Sequence, residues 1–339
     1  MDDAGPGSAQ PAQPAQPAQL SEETRRRIDE VLLGSARRYT RLQVAEKSGV
    51  PPETTQRRWR SLGFAAADDD DVLFTDSDVE AAALSEKLLS TGVVPAGMDV
   101  AVSRALGHHL SRLAEWQIEL VRELLDQRPE LATDEQQLLA FVQAVAPTIE
   151  RLQNFVWRRH LAAYAVRAFG SGEDDSGQRA VGFVDMVGYT RLTRQVDEEQ
   201  LTVVLERFEA AAAAAIADRQ GRIVKMIGDE VLFVADSPRD AVQIAVDVNR
   251  RAEADGEIPE LRTGLAFGPV LSRLGDVYGK VVNVAARLTS TARPGTIVLD
   301  EGLAEALGED PPYPLRSLRP VSVRGYSRLR RYALKRPKD

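Results

Sequence analysis

The sequence predicts a largely helical front half followed by a domain of mixed helices and strands. Apolar residues recur at helical spacing through residues 21–168. From Arg179 onward, short apolar runs typical of strands alternate with helical segments. Between the two, residues 169–178 (FGSGEDDSGQ) combine glycine, serine and acidic residues, a composition typical of a linker. We therefore expect a helical domain over 21–168, a linker over 169–178 and an α/β domain over 179–339.

Composition excludes several classes of protein. The 339 residues are 43% apolar and 28% charged, with a formal net charge of -8. That charge argues against a generally basic nucleic-acid binder. The absence of cysteine excludes disulfides, thiolate zinc sites and cysteine nucleophiles. No apolar run approaches the roughly 18 residues of a membrane span, and the polar N-terminus does not resemble a signal peptide. We expect a cytoplasmic protein with no membrane partner.

The first 20 residues contain AQPAQPAQPAQ, with proline at every third position. This spacing forbids helix and favours an extended chain. We expect residues 1–20 to form a disordered tail that acts only as a spacer.

The helical half contains a compact helix-turn-helix pattern. The first helix is predicted after Ser21, a favourable N-cap residue. In YTRLQVAEKSGVPPETTQRRWRSLGF, we predict a short helix over about 42–47, a turn at Ser48–Gly49 and a second helix after Pro51. The pattern resembles the MerR-like N-terminal helices of DNA-binding regulators. Two longer helices are predicted further along, the first with Leu106 and Leu110 on one side.

Two aspartates stand at the ends of predicted strands in the second half. Asp185 directly follows the apolar run VGFV, and Asp229 follows Gly228 in a predicted β-hairpin, GRIVKMIGDEVLFV. A charge at the edge of a core is costly unless it is paired or binds a metal. A pair of carboxylates is a common way to hold Mg²⁺ or Mn²⁺ over a triphosphate. The alternative is that Asp185 caps the next segment and Asp229 is simply a turn residue.

A third stretch, GDVYGKVVNVAARL, places further polar residues near these two. Asn283 and Arg287 lie four apart on a predicted helix and therefore share a face. An amide and a guanidinium suit a ribose oxygen and a phosphate. Asp276 precedes the helix in a glycine-containing loop, and Lys225 lies on the first strand of the hairpin. Lys225 and Arg287 could instead be ordinary solvated surface charges.

The three stretches together resemble the class III nucleotidyl cyclase family. FVDMVGYT resembles its first metal motif, VKMIGDEVLF its second, and DVYGKVVNVAAR its third, in matching order and spacing. The resemblance covers about residues 179–339. It implies an α+β catalytic domain with a ferredoxin-like βαββαβ core. It also implies that ATP is converted to cyclic AMP and pyrophosphate.

The resemblance assigns a role to each matching residue. Asp185 and Asp229 would bind two divalent ions, Mg²⁺ or Mn²⁺. Asn283 would orient the ribose, and Arg287 would stabilise charge on the α-phosphate. These assignments imply catalysis by positioning and charge stabilisation.

Two further assignments concern the base and the terminal phosphates. Lys225 and Asp276 would recognise adenine, because relatives selective for GTP typically carry residues such as Glu and Cys instead. Arg330 matches a basic contact to the terminal phosphates, with Arg331 as a near rival. The family's composite sites imply a homodimer with two equivalent sites, because all of these residues are present in one chain.

The front half also resembles the regulatory region of actinobacterial pH-sensing adenylyl cyclases. The chain's three histidines, His108, His109 and His160, all fall there, and histidine normally titrates near neutrality. Each could instead be an ordinary surface or core residue, an interpretation that we prefer for any single histidine, and the regulatory ligand or proton is left open.

Two alternatives remain for the function of the chain. One is a transcription regulator that binds DNA through a basic second helix carrying Arg57, Arg58 and Arg60. The acidic run 68–71 opposes DNA binding. The other alternative is a catalytically weak nucleotide sensor.

Overall fold

The computed structural model of the chain describes residues 20–170 and 177–335. The chain divides into two compact units, residues 1–168 and 169–339. Except for Leu20, the predicted tail over 1–20 lies outside the described residues, as does the middle of the predicted linker, 171–176. No helix in the described part of the chain is both long and apolar enough to cross a membrane.

The front unit contains seven helices in its described part. They are α1 (Glu22–Leu33), α2 (Arg41–Ser48), α3 (Pro52–Ser61), α4 (Asp76–Ser90), α5 (Asp99–Gln127), α6 (Pro129–Thr133) and α7 (Glu135–Gly170). The predicted helical half is therefore confirmed within the described range. Helix α7 continues to Gly170, so the first residues of the predicted linker are helical instead.

The N-terminus of α1 is held by a residue from far along the chain. Ser21 caps the helix by accepting a hydrogen bond from the Thr24 amide. Glu135 in turn accepts hydrogen bonds from the Ser21 amide, the Ser21 hydroxyl and the Thr24 hydroxyl, at 2.5–2.6 Å. These hydrogen bonds, led by that of the Ser21 hydroxyl, lower the pKa of Glu135 to about 2. Glu135 therefore ties the start of α1 to the start of α7.

Helices α2 and α3 form the predicted helix-turn-helix. Gly49 ends α2 in the left-handed region, with φ 71°, a conformation that glycine adopts without steric cost. The pair packs over a small core in which Val44, Phe74 and Trp59 meet. The two helices and the turn lie where they were predicted, and the likeness to MerR regulators stays a prediction.

The second unit is built on one seven-stranded sheet. The described part of the unit contains nine strands, β1 (Gln178–Met186), β2 (Arg222–Ile227), β3 (Glu230–Ala235), β4 (Leu261–Pro269), β5 (Leu271–Arg273), β6 (Asp276–Tyr278), β7 (Ile297–Asp300), β8 (Leu315–Val323) and β9 (Tyr326–Leu334). Its helices are α8 (Tyr189–Leu192), α9 (Glu198–Asp218), α10 (Pro238–Asp255), α11 (Lys280–Thr291) and α12 (Glu301–Ala306). The sheet has the order β2-β3-β1-β4-β7-β9-β8, and β5 and β6 form a separate pair.

The core of this unit has the ferredoxin-like topology implied by the resemblance. Strand β1 lies between β3 and β4 and is antiparallel to both, and β2 pairs antiparallel with β3. The connections β1–α9–β2 and β3–α10–β4 complete the βαββαβ pattern. The α/β class expected from the alternation of elements is therefore corrected to the α+β class that the resemblance implies, because β4 and β7 are the only parallel pair among the described strands.

The two faces of the sheet bury different clusters. We call them the α10 face, where Val184 and Met186 pack under α9 and α10, and the α11 face, where Val181 and Phe183 pack under α11. Successive residues of β1 alternate between the two faces. Asp185 follows the odd-numbered residues and therefore lies on the α11 face.

Candidate active site

Asp185 lies at the end of β1, between two charged neighbours. Its cross-strand partners are Glu230 on β3 and Arg262 on β4, and directly opposed residues share a face. Arg262 Nε donates a hydrogen bond to Asp185 Oδ2, and only 10% of the Asp185 side chain is exposed. A buried carboxylate must be paired or bind a cation. In this chain Arg262 supplies the partner.

Asp229 lies beside Asp185 at the tip of the β2–β3 hairpin. The two-residue turn Gly228–Asp229 confirms the predicted hairpin, with Gly228 at φ 58°. The Met186 amide donates a hydrogen bond to the Asp229 carbonyl at 3.0 Å, which joins the hairpin tip to the end of β1. Burial raises the pKa of the Asp229 carboxyl, and the charge of Asp185 raises it further.

This arrangement of carboxylates fits divalent cations bound together with a nucleotide. Within the described residues, no group of three or more acidic, histidine or cysteine side chains could hold a metal ion alone. Mg²⁺, however, is commonly held by one or two carboxylates plus substrate phosphates. The mutual repulsion of Asp185 and Asp229, which raises the Asp229 pKa, is the penalty that a cation would remove.

Lys225 and Asp276 form an ion pair between two separate sheets. Lys225 Nζ lies 2.6 Å from Asp276 Oδ2. Asp276 also accepts hydrogen bonds from the Val277 amide at 2.8 Å and the Tyr278 hydroxyl at 3.3 Å. Burial alone would raise the Asp276 pKa, but the Lys225 hydrogen bond and these contacts lower it. The pair therefore presents one charged donor and one charged acceptor side by side.

Asn283 and Arg287 lie one turn apart on α11. The inner face of this helix buries Val284 and Leu288 against the sheet, which leaves Asn283 exposed and Arg287 half-buried. Gly264 on β4 lets the helix backbone approach closely. A Cβ there would lie 2.3 Å from the Thr289 amide nitrogen. The helix is therefore seated directly on the strand that carries Arg262.

The structure places Arg330 and Arg331 on opposite faces of β9. Arg330 lies on the α10 face, where its Nη1 donates to Glu301 Oε1 at 2.6 Å. Arg331 lies on the α11 face and donates to the carbonyl oxygens of Thr291 and Arg319, each at 3.2 Å. Arg331 therefore shares a face with Asp185 and contacts the end of α11.

Six of the seven predicted residues lie in three pairs within one chain: Asp185 with Asp229, Lys225 with Asp276, and Asn283 with Arg287. The seventh, Arg330, pairs with Glu301 on the opposite face of the sheet. Two charged neighbours of Asp185, Arg262 and Glu230, were not predicted from the sequence. Both are charged residues within otherwise apolar strands, which is the signal that could have identified them. Their proximity to Asp185 depends on strand register, which one sequence does not define.

Both units match known protein families. Residues 173–336 match the adenylate and guanylate cyclase catalytic domain, and residues 17–164 match the adenylate cyclase regulatory domain. An adenylate cyclase of Streptomyces coelicolor is 41% identical over 285 residues, 83% of this chain and 74% of the relative.

Two further relatives span most of the chain. An adenylate cyclase of Glutamicibacter nicotianae is 36% identical over 326 residues, 91% of this chain and 81% of the relative. A pH-sensitive adenylate cyclase of Mycobacterium tuberculosis is 32% identical over 280 residues, 79% of this chain and 70% of the relative. With its catalytic and regulatory domains both matched, the chain belongs to the adenylate cyclases of the class III nucleotidyl cyclase family.

Proposed function

We propose that the chain converts ATP to 3′,5′-cyclic AMP and pyrophosphate at composite sites of a homodimer, under control of its front unit. The observation that carries the choice of substrate is the ion pair between Lys225 and Asp276. Adenine offers an acceptor at N1 and a donor at its 6-amino group. Lys225 supplies the donor and Asp276 the acceptor. Guanine presents the reverse pattern, an N1–H donor and an O6 acceptor, and would leave both side chains mismatched.

Asp185 and Asp229 are the residues that would hold two Mg²⁺ or Mn²⁺ ions. Such ions supply Lewis acidity at the reacting oxygens and neutralise the phosphate charge. If Asp185 held a cation, the neighbouring Arg262 guanidinium would be free to donate to a phosphate oxygen. Glu230 adds negative charge on the same face, because it lies directly across from Asp185.

The reaction is an in-line displacement at the α-phosphorus. The 3′-hydroxyl gives its proton to solvent water, its oxygen forms a bond to the α-phosphorus, and the bond from the α-phosphorus to the pyrophosphate oxygen breaks. Arg287 would stabilise the charge that develops on the α-phosphoryl oxygens. Asn283, one turn before it on α11, would orient the ribose so that the 3′-oxygen faces the phosphorus.

A basic contact to the terminal phosphates completes the proposed site. Arg330 carries this role by resemblance, but its guanidinium is paired with Glu301 on the α10 face. Arg331 lies on the α11 face with the other site residues. Comparing Arg330→Ala with Arg331→Ala by their KM for ATP separates the two, since loss of a phosphate contact raises KM.

The proposal is tested by incubating the full chain with ATP or GTP and either Mg²⁺ or Mn²⁺, and measuring cyclic nucleotide and pyrophosphate. We expect cyclic AMP and pyrophosphate in equal amounts from ATP, and little product from GTP. Cyclic GMP as the main product would contradict the proposed base recognition. No product from either nucleotide would favour the nucleotide-sensor alternative.

For the front unit, we propose regulation by protons or by a bound ligand. One relative is named a pH-sensitive adenylate cyclase. In this chain His108 and His109 are neighbours on α5, with ring centroids 5.6 Å apart, and His160 stacks on Tyr164 of α7. Replacing all three histidines by glutamine should flatten the pH–activity profile of the full chain. An unchanged profile would exclude the histidines as the sensor.

DNA binding by the helix-turn-helix has less support. Arg58 on α3 pairs with Glu86 at 2.8 Å and only 13% of its side chain is exposed. Arg57 pairs with Asp99 at 3.4 Å. Guanidinium groups engaged in such ion pairs are poorly available to phosphates. A salt-dependent shift of duplex DNA by the full chain would be needed to restore this alternative.

A further inference from the structure

Strand β2 makes a second contact with the β5–β6 pair, separate from the Lys225–Asp276 ion pair. Arg222 Nη1 donates a hydrogen bond to the Gly275 carbonyl at 3.0 Å. Gly275 is the residue directly before Asp276. Two side chains of one strand therefore hold the same short turn, and only one of them has a role in the proposed function.

A β-bulge makes this double contact possible. The register of β2 with β3 passes from Ile223 directly to Lys225, which leaves Val224 as the extra residue. Without the bulge, Arg222 and Lys225 would point to opposite faces, because they are three positions apart. With it, their partners are Val234 and Leu232, which both lie on the α11 face. A bulge redirects side chains in this way.

The turn that Arg222 contacts has a backbone conformation that is unfavourable for one of its residues. Leu274 and Gly275 join β5 to β6 as a two-residue loop, and both have positive φ, 52° and 86°. Asparagine followed by glycine suits such a turn, whereas a leucine at the first position is unfavourable. A residue in this region persists only where its surroundings hold it. The charged hydrogen bond from Arg222 supplies such a restraint.

We propose that Arg222 is a positioning residue that fixes the β5–β6 turn, so that Lys225 and Asp276 keep the separation that adenine requires. This inference rests on the proposed function. When both side chains bind the base, their direct ion pair no longer sets the distance between the two sheets. The Arg222 contact uses neither side chain, and it therefore preserves the spacing while the base is bound.

The test is the preference for adenine over guanine, measured by calorimetry with 3′-deoxy-ATP and 3′-deoxy-GTP, which lack the attacking hydroxyl. Arg222→Ala should lower this preference about tenfold, the scale of one charge-assisted hydrogen bond. Arg222→Lys should retain part of it. The matched control is Arg239→Ala. Arg239 also donates to a backbone carbonyl, that of Asp310, but neither Arg239 nor Asp310 belongs to β2, β5 or β6. This variant should bind like the unaltered chain.

A second change separates positioning from a general structural role. Leu274→Asn relieves the unfavourable turn and should restore the adenine preference in the Arg222→Ala background. The inference is overturned if Arg222→Ala keeps the full preference for adenine, or if it weakens the binding of both nucleotides equally. It is also overturned if Leu274→Asn does not restore the adenine preference in the Arg222→Ala background. Because these are binding measurements, they remain decisive even if the unaltered chain binds ATP and forms no cyclic AMP, which would overturn the proposed function alone.

Discussion

At the residue scale, hydrogen bonds and ion pairs fix the orientation of charged side chains in the second unit. Asp276 is held by Lys225, by the Val277 amide and by the Tyr278 hydroxyl, so its acceptor oxygens are fixed before any base arrives. Such preorganisation makes a polar site selective, because a mismatched ligand leaves buried polar groups unpaired.

Exchanging the two base-recognising residues should exchange the substrate. Lys225→Glu together with Asp276→Cys replaces a donor and an acceptor by groups that suit guanine. Cyclic AMP formation should fall by at least about a hundredfold, and cyclic GMP formation should rise, as measured by product chromatography. Lys225→Glu alone is the control, because it leaves Asp276 mismatched to guanine and should favour neither nucleotide. A double variant that still prefers ATP would contradict this assignment.

Asp300 should make the stability of the catalytic unit depend on pH. Burial raises the pKa of its carboxyl to about 6, although the amides of Leu303 and Phe267 donate to it. A raised folded-state pKa stabilises the fold at low pH, and this contribution is lost as the pH rises through about 6. We expect a loss of about 1 kcal/mol between pH 5 and pH 7.5.

The measurement for Asp300 is hydrogen exchange of β7 and α12, expressed as protection factors at the two pH values. Asp300→Asn keeps an N-cap acceptor for α12 but cannot ionise. It should therefore show a smaller fall in protection than the unaltered chain. An identical fall in both proteins would show that another group carries the pH dependence.

At the scale of elements, the features that could be predicted depend on residues close together in the sequence. Helix α11 and the β2–β3 hairpin were predicted from spacing and from the Gly228–Asp229 turn, and both are present. Two features could not be predicted. The bulge at Val224 has no recognisable sequence signal, because Val224 is an apolar residue among other apolar residues of the strand. The pairing of Asp185 with Arg262 joins two residues that are 77 positions apart in the sequence. Non-local register is set by packing of the whole sheet.

Gly264 should be required for the position of α11. In Gly264→Ala, the added Cβ would lie 2.3 Å from the Thr289 nitrogen and 2.4 Å from the Ala285 oxygen, both backbone atoms. The helix must move, at a cost of about 1–3 kcal/mol, and Asn283 and Arg287 move with it. We expect lower thermal stability and a fall in kcat larger than the change in KM.

The control for Gly264 is Gly308→Ala. Gly308 has φ 72° with open space around it, so its replacement costs about 1–2 kcal/mol from backbone conformation alone. It should lower stability without lowering kcat. Equal kcat values for the two variants would show that α11 tolerates the displacement.

At the scale of the whole molecule, the resemblance to class III cyclases predicts that the two protomers of a dimer contribute different residues to each site. The proposed composite site takes Asp185 and Asp229 from one chain and the other two pairs from its partner. Each chain carries both halves, so a two-fold dimer would hold two complete sites. In the proposed arrangement, activity would depend on association of the protomers, and the front unit could control activity by changing that association.

Mixing two inactive variants tests this division directly. Asp185→Ala and Asn283→Ala should each be inactive alone, because each damages both sites of its own dimer. Random exchange of subunits gives half mixed dimers, each with one intact site, so about a quarter of the normal activity should return. Asp185→Ala mixed with Asp229→Ala is the matched control. Both changes fall in the metal-binding half, and every mixed dimer keeps two damaged sites. Recovery in neither mixture would show that each site is built within a single chain. Recovery in the control as well as the test mixture would show that the pairs are assigned to the wrong halves.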